Sequence, residues 1–201
     1  MSAARITLAD AAWPRVGLSR DIVLIAGASV ATALAARIAF PLPWSPVPIT
    51  GQTFAVLLSG GVLGARRAFL AQLLYLAEGI AGLPVFAGGA AGLAVLAGPT
   101  AGYLIAFPLA AAVTGALAER GWDRRFASML AAMLLGSTVI FALGLAGLSR
   151  FVPGERLVAT GLLPFLPGDG IKSALAAIVF PSVWRLAGRR DRPAWTNPAD
   201  E

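Results

Sequence analysis

Long apolar stretches separated by short polar turns constrain this chain more than any other feature. Its 201 residues are 58% hydrophobic and only 13% charged, whereas soluble domains are about 25% charged. A helix that crosses a bilayer needs roughly 20 apolar residues. Apolar stretches occur at residues 22–40, 51–63, 68–81, 100–117, 126–148 and 169–186. They predict an all-α integral membrane protein with six transmembrane helices, of which the short second one is tilted or extends into the loop before it.

The arginines predict how these helices are oriented. If six segments alternate, twelve of the sixteen basic residues lie on the side of the two termini. Basic residues concentrate on the cytoplasmic side, so we expect both termini in the cytoplasm of a multi-pass protein in the cell inner (plasma) membrane. The predicted division is a cytoplasmic arm at 1–20, a six-helix membrane domain at 21–187 and a cytoplasmic tail at 188–201. Residues 33–35 also permit a cleaved signal peptide, but the charge pattern fits six segments better than five.

The loops on the other side are rich in proline and glycine. They cover residues 41–50, 82–99 and 150–167, and the first two carry no charge. Irregular backbone near membrane depth is tolerated only where it is buried in protein or lines a cavity. We therefore expect an outward-facing ligand cavity that is capped by these loops.

The composition excludes several classes of function. The chain has no cysteine and no histidine, which removes thiolate and imidazole metal sites, cysteine nucleophiles and Ser-His-Asp triads. It has no phosphate-binding loop of the Walker type, so we do not expect it to hydrolyse ATP. Its basic residues form short clusters between apolar segments, which is not typical of nucleic-acid binding. We expect neither a metal nor a cofactor.

Asp169 and Lys172 are the main candidates for a site. Lys172 is the only lysine of the chain, and Asp169 lies three residues earlier, on the same face of a helix. Ionisable groups that enter hydrocarbon mark functional sites by default. Alternatively, Asp169 only caps or begins the last helix and Lys172 pairs with it. As ligand-binding groups, the two suit a neutral cyclic urea or amide, or a zwitterion.

Other candidates each have two interpretations. Glu78 lines the cavity or lies at the membrane interface, and Trp44 and Tyr103 stack on a flat ligand or anchor the protein at that interface. Ala31 and Ala35 are four residues apart, a spacing that lets helices approach closely but that also arises by chance in a chain rich in alanine.

Four motifs in sequence resemble one known family. PVPITGQTFAVLLSG at 46–60 is followed by GLPVFAGG at 82–89, GPTAGY at 98–103 and PFLPGDGIK at 164–172. Together they resemble BioY, the biotin-specific membrane subunit of energy-coupling factor transporters. The resemblance implies a six-helix subunit that binds biotin with high affinity from the outer side for import. The alternatives are a transport subunit for another small vitamin and an intramembrane lipid-modifying enzyme.

The resemblance also implies roles for individual residues. Asp169 and Lys172 match the acidic and basic positions that hold the polar rings of biotin. The loop at 46–52, which ends in Gln52, resembles the gating loop, and the backbone at Gly88 and Gly89 lets the chain approach the ligand. The predicted ligand site comprises Asp169, Lys172, Gln52, Tyr103, Glu78, Trp44, Gly88 and Gly89.

The implied partners follow from the same resemblance. The small residues Ala31 and Ala35 resemble the docking surface for a transmembrane coupling protein, which assembles with two cytoplasmic ATPases. Membrane lipid surrounds the subunit, and the sequence leaves both a single copy and a homo-oligomer open. The chain has no nucleotide-binding loop, which fits a complex whose ATPases are separate subunits.

Overall fold

Helices form most of the chain in this computed structural model. The structure describes residues 6–14 and 17–190, with side chains through residue 186, so most of the predicted tail at 188–201 and part of the arm at 1–20 lie outside the described residues. The helices are α1 (Leu8–Ala12), α2 (Leu18–Ala35), α3 (Gln52–Leu63), α4 (Ala65–Ile80), α5 (Ala101–Ala118), α6 (Phe126–Leu148), α7 (Gly154–Gly161) and α8 (Leu166–Arg190).

Length and apolarity suit a membrane over much of the described chain. Four stretches are long and apolar enough to cross a bilayer: Leu18–Ala35, Ala101–Ala118, Phe126–Leu148 and Gly154–Leu186. α3 has 12 residues and α4 has 16. At about 1.5 Å per residue, helices this short do not span a hydrocarbon core of roughly 30 Å by themselves. Six crossings therefore stay a prediction.

The fold is mostly helical, as predicted, but it also contains a short β-hairpin that the prediction lacks. The strands β1 (Ala39–Leu42) and β2 (Ser45–Thr50) pair antiparallel, with Ala39 opposite Thr50 and Leu42 opposite Ser45. This region was predicted to be the end of the first helix followed by a loop. Its prolines lack an N–H, but both strands are edge strands, where proline is tolerated.

Two other boundaries also differ from the prediction. The region 150–167, predicted to be a loop, contains the helix α7. The last helix begins at Leu166, three residues before the predicted start at Asp169. The helices α6 and α7 are in contact, so α7 packs against the bundle although it is too short to be stable alone.

The helix α5 lies at the centre of the bundle. It packs against α3, α4 and α6, and α6 packs in turn against α8. A Cβ atom at Gly102 of α5 would meet the backbone carbonyl of Leu143 on α6. A Cβ atom at Gly147 of α6 would lie 2.9 Å from the Cα atom of Gly102. The glycines therefore let the backbones of α5 and α6 approach closely.

Hydrogen bonds between side chains join α2, α3 and α4. Gln72 is fully buried, and its Nε2 donates to Thr32 Oγ1 and to Ser59 Oγ, each at 3.1 Å. Ser29 Oγ on α2 donates to Glu78 Oε2 on α4 at 2.6 Å. Such bonds supply part of the attraction between helices where lipid removes the hydrophobic driving force.

Ion pairs gather the charged turns at one end of the bundle. The Asp10 carboxylate accepts hydrogen bonds from Arg20 at 3.0 Å and from Arg67 at 2.8 Å, and Arg67 Nε also lies 2.8 Å from Asp21. Burial would raise the pKa of Asp10, but hydrogen bonds from Thr7 and from the two arginines outweigh it and lower the pKa to about 2. These pairs fix α1 and the start of α2 to the turn between α3 and α4.

The turn between α5 and α6 lies at the same end. Glu119 accepts a hydrogen bond from the Ala65 N–H at 2.8 Å, and Trp184 near the end of α8 donates to Asp123. The Arg124 guanidinium lies 4.4 Å from the centre of the Trp184 ring, a cation–π contact. Burial raises the pKa of Asp123, and the hydrogen bond from Trp184 and the charge of Arg124 offset only part of this rise.

Candidate ligand-binding site

A cavity of about 240 Å³ lies at the opposite end, where α3, α5 and α8 begin. The hairpin, the loop between α4 and α5, and α6 supply its other walls. Most of the lining is apolar or aromatic, and a few polar groups converge on it, as is typical of small-molecule sites. The apolar lining includes Val47, Ile49, Phe86, Leu104, Phe107, Phe141 and Phe165, and the polar lining includes Thr50, Gln52, Thr53, Thr100, Tyr103, Asp169 and Lys172.

Asp169 presents a buried carboxylate to this cavity. Its side chain is 7% exposed, and Oδ1 accepts a hydrogen bond from Ser137 Oγ on α6 at 2.9 Å. Its backbone N–H already donates to the carbonyl of Phe165 at 2.9 Å, so Asp169 lies within the first turn of α8 and is not its N-cap. The positive end of the helix dipole stabilises a carboxylate at this place.

Lys172 is bonded to the hairpin and not to Asp169. Its Nζ donates to the backbone carbonyl of Thr50 at 2.8 Å, which ties α8 to the end of β2. Among the described residues, no oxygen of Asp169 lies within 4.0 Å of Nζ. An ammonium has three N–H donors, so the bond to Thr50 leaves two for a ligand. The interpretation in which the two side chains merely pair with each other is therefore wrong for this structure.

Gln52 and Tyr103 line the cavity, and hydrogen bonds to groups outside the lining fix their side chains. Gln52 Nε2 donates to the hydroxyl of Tyr75, which donates in turn to the carbonyl of Val85 at 3.0 Å. The Tyr103 hydroxyl donates to the carbonyl of Gly161, at the end of α7, at 2.7 Å. The amide and the ring therefore have fixed orientations at the cavity wall.

The remaining predicted ligand residues lie outside the lining. Trp44 is at the tip of the hairpin and 63% exposed, and Glu78 is bonded to Ser29 between α2 and α4. Gly88 and Gly89 have φ angles of 66° and 83°, which glycine adopts without strain, and the alanines on either side of them do line the cavity. These glycines shape the loop instead of lining the cavity.

The predicted docking residues lie on α2 and outside the cavity lining. Ala31 is exposed, and Ala35 is half-buried beside Gly51, where a Cβ atom would lie 2.8 Å from the Ala35 carbonyl. The same helix exposes several large apolar side chains: Leu18, Ile22, Val23, Val30 and Leu34. The apolar surface of α2 is thus continuous around Ala31.

Sequence reasoning missed Ser137 and three phenylalanines of the wall. The ring of Phe165 lies 6.4 Å from that of Tyr103 and 6.3 Å from that of Phe141, measured between centroids. Phe165 lies within the motif at 164–172, four residues before Asp169, which was a usable signal. Phe107 and Phe141 lie within uniformly apolar helices, where the sequence does not distinguish a cavity wall from core packing.

Comparison with known proteins places the chain in a family. The sequence model of the BioY family matches residues 5–189. The chain belongs to the BioY family. A probable biotin transporter BioY of Pyrococcus horikoshii is 39% identical over 161 residues, which cover 80% of this chain and 94% of that protein. The biotin transporter BioY of Rhizobium etli is 40% identical over 170 residues, covering 80% and 91%.

A solved structure shares the fold of this BioY-family chain. It is the crystal structure of an S-component for biotin from an ECF-type ABC transporter, with a TM-score of 0.75. Its identity is 24%, and the match covers 85% of this chain and 95% of that one. The chain therefore has a mostly helical fold of the S-component kind, and its apolar helices fit a membrane protein.

Proposed function

We propose that this chain is the high-affinity biotin-binding subunit of a biotin uptake transporter. Membership of the BioY family over residues 5–189 carries the proposal, because the curated relatives that match most of the chain are named biotin transporters. Since these relatives are named for transport, we set aside the alternative of a lipid-modifying enzyme.

The chemistry of the cavity supports the same ligand. The ureido ring of biotin carries N–H donors, which suit the Asp169 carboxylate, and a carbonyl, which suits the Lys172 ammonium. The tetrahydrothiophene ring of biotin is apolar and can pack against Phe165 and Tyr103, which are neighbours in the wall. We propose Asp169, Lys172, Gln52 and Tyr103 as the polar part of the ligand site.

We propose that the cavity faces outward from the plasma membrane. The cavity lies where α3, α5 and α8 begin, while the arginine-bearing turns lie where these helices end. Basic turns favour the cytoplasmic side, so both termini would be cytoplasmic and the hairpin would face outside. With α3 and α4 extended by adjoining segments, the fold crosses the membrane six times.

We propose that import requires an energy-coupling factor module. The solved S-component of the same fold comes from an ECF-type transporter, and this chain lacks a nucleotide-binding loop. The partners would be a transmembrane coupling protein, docking on α2 near Ala31 and Ala35, and two cytoplasmic ATPases. Biotin uptake by cells that express the chain should fall when the ATPases are deleted, and unchanged uptake would show that it transports alone.

Equilibrium binding tests the ligand and the site together. The protein purified in detergent should bind labelled biotin at about one per chain. Asp169→Asn and Lys172→Met should each weaken binding at least a hundredfold, because breaking a buried charged contact costs about 3–5 kcal/mol.

The matched control is Glu78→Gln, which removes a carboxylate that is bonded to Ser29 and lies outside the cavity lining. It should bind biotin like the wild type. Displacement of the label by another small vitamin at equal concentration would favour that vitamin as the ligand. Full biotin affinity in both site variants would refute the site assignment.

A further inference from the structure

Ser137 is a polar residue in the otherwise apolar buried face of α6. Met133 lies one turn before it and Ile140 one turn after it, and both are fully buried. Ser137 itself is 3% exposed. A buried hydroxyl without a hydrogen bond destabilises a fold by about 1–3 kcal/mol, so the partner of this one matters.

The partner of Ser137 lies on another helix, unlike the partners of the other hydroxyl groups on α6 or at its end. Ser128 donates to backbone carbonyls around the start of its own helix, and Thr138 and Ser149 donate to carbonyls three or four residues earlier. Ser137 Oγ instead donates to Asp169 Oδ1 on α8 at 2.9 Å. Among the described residues, Ser137 is the one side chain that donates a hydrogen bond to the Asp169 carboxylate.

The backbone of α6 is held firmly at this level. A Cβ atom at Gly136 would collide with Thr114 Oγ1 on α5 and with Leu57 Cδ2 on α3. The absence of a side chain lets α6 pack closely against both helices, so the Ser137 hydroxyl is carried by a tightly packed segment. A donor on such a segment has a fixed position relative to the cavity.

We propose that Ser137 is a positioning residue for ligand recognition: its hydroxyl holds Oδ1 of Asp169 and leaves Oδ2 for an N–H donor of the ligand. The inference rests on the proposed function, since the N–H donor is that of the biotin ureido ring. Ser137 does not line the cavity, so it acts through Asp169 and not by contact with the ligand.

The physical reason is pre-organisation of a buried charge. A carboxylate in a mostly apolar wall without a fixed donor turns toward whatever water or backbone dipole it can reach. The ligand must then reorient it, which lowers affinity. A hydrogen bond to a charged group contributes enough that its loss weakens binding roughly tenfold. The loss should be specific to ligands that donate an N–H to Asp169.

The test compares two buried serines with four ligands. Ser137→Ala removes the donor, and Ser173→Ala is the matched control, because Ser173 is fully buried on α8 and its hydroxyl has no partner among the described residues. The ligands are biotin, biotin methyl ester, and biotin methylated on either ureido nitrogen. Affinities are measured by calorimetry in detergent, and the thermal midpoint without ligand monitors folding.

S137A should bind biotin and its methyl ester roughly tenfold more weakly than the wild type does, while S173A should match the wild type. For the analogue whose methylated nitrogen faces Asp169, the wild type and S137A should bind alike. A misfolded fraction lowers the number of binding sites per chain but does not change the ratio of two affinities measured on the same variant. The comparison between ligands therefore remains valid if part of the sample is unfolded.

Equal biotin affinity in S137A and S173A would overturn the inference while leaving the proposed function intact. An equal penalty on all ligands, including both N-methylated ones, would also overturn it, because Ser137 would then be purely structural. If the wild-type protein itself fails to bind biotin, the proposed function is refuted and the inference falls with it.

Discussion

We predict that a hydrogen bond from Ser45 to α7 keeps the hairpin in place over bound ligand and so slows the release of that ligand. Ser45 Oγ donates to the carbonyl of Thr160 on α7 at 2.8 Å and accepts from the N–H of Val47 at 3.1 Å. Val47 lines the cavity, so Ser45 joins the hairpin wall to α7. The other end of β2 is held by Lys172 at Thr50. Ser45→Ala removes one anchor and leaves the other in place.

The magnitude follows from the number of bonds that are lost. One hydrogen bond between elements contributes about 0.5–1.5 kcal/mol net, because water replaces it when it breaks. A loss of about 1 kcal/mol in the closed state shifts the opening equilibrium roughly fivefold, since 1.4 kcal/mol corresponds to a factor of ten. If release passes through the open hairpin, biotin should dissociate about five times faster from the variant.

A chase experiment measures this rate. Protein loaded with labelled biotin is mixed with excess unlabelled biotin, and the retained label is followed with time. Ser182→Ala is the control, because Ser182 Oγ also donates to a carbonyl at 2.8 Å, but at an exposed position and within its own helix. A release rate in S45A within twofold of the wild type and of S182A would falsify the prediction that the Ser45 bond between the hairpin and α7 slows ligand release.

Three further predictions concern stability in detergent. Gly102→Ala should lower the free energy of unfolding by about 1–3 kcal/mol, because its Cβ atom would collide with the Leu143 carbonyl, and an unchanged thermal midpoint would contradict the close packing of α5 and α6. The pKa of Asp10 is lowered to about 2, so its ion pairs stabilise the fold at pH values above the ordinary pKa of about 3.9. This stabilisation is lost as the pH falls toward 2. Asp10→Asn should therefore lower the free energy of unfolding by roughly 1 kcal/mol at neutral pH, after allowance for solvent screening. It should also abolish the fall in thermal midpoint between about pH 4 and pH 2. A variant that retains this fall would contradict the assignment to Asp10. For Asp123 the pKa is raised, so the charged form destabilises the fold at pH values above its folded pKa. Asp123→Asn keeps an oxygen for the Trp184 indole and should leave the midpoint at pH 7 equal or higher, whereas a clear decrease would show that the charge itself is needed.

Local patterns predicted the helices well where long apolar runs had clear ends. The predicted stretch at 126–148 coincides with α6, because Arg125 precedes it and the next charged residue after it is Arg150. The hairpin was missed because prolines at 41, 43, 46 and 48 lack the N–H that a strand usually donates, and the sequence then resembles a loop. The pairs between β1 and β2 are made by residues that flank the prolines, such as Phe40 opposite Ile49, and local propensity does not reveal this pairing.

The sequence by itself determined that Asp169 and Lys172 enter the apolar region together on one helix face. A spacing of three residues suffices for that, since helix geometry is local. Only the tertiary structure decided what each group is bonded to. Asp169 accepts from Ser137, 32 residues away, and Lys172 donates to Thr50, 122 residues away. Such partners depend on how α6, α8 and the hairpin pack together, and the periodicity of a sequence carries no information about contacts at that separation.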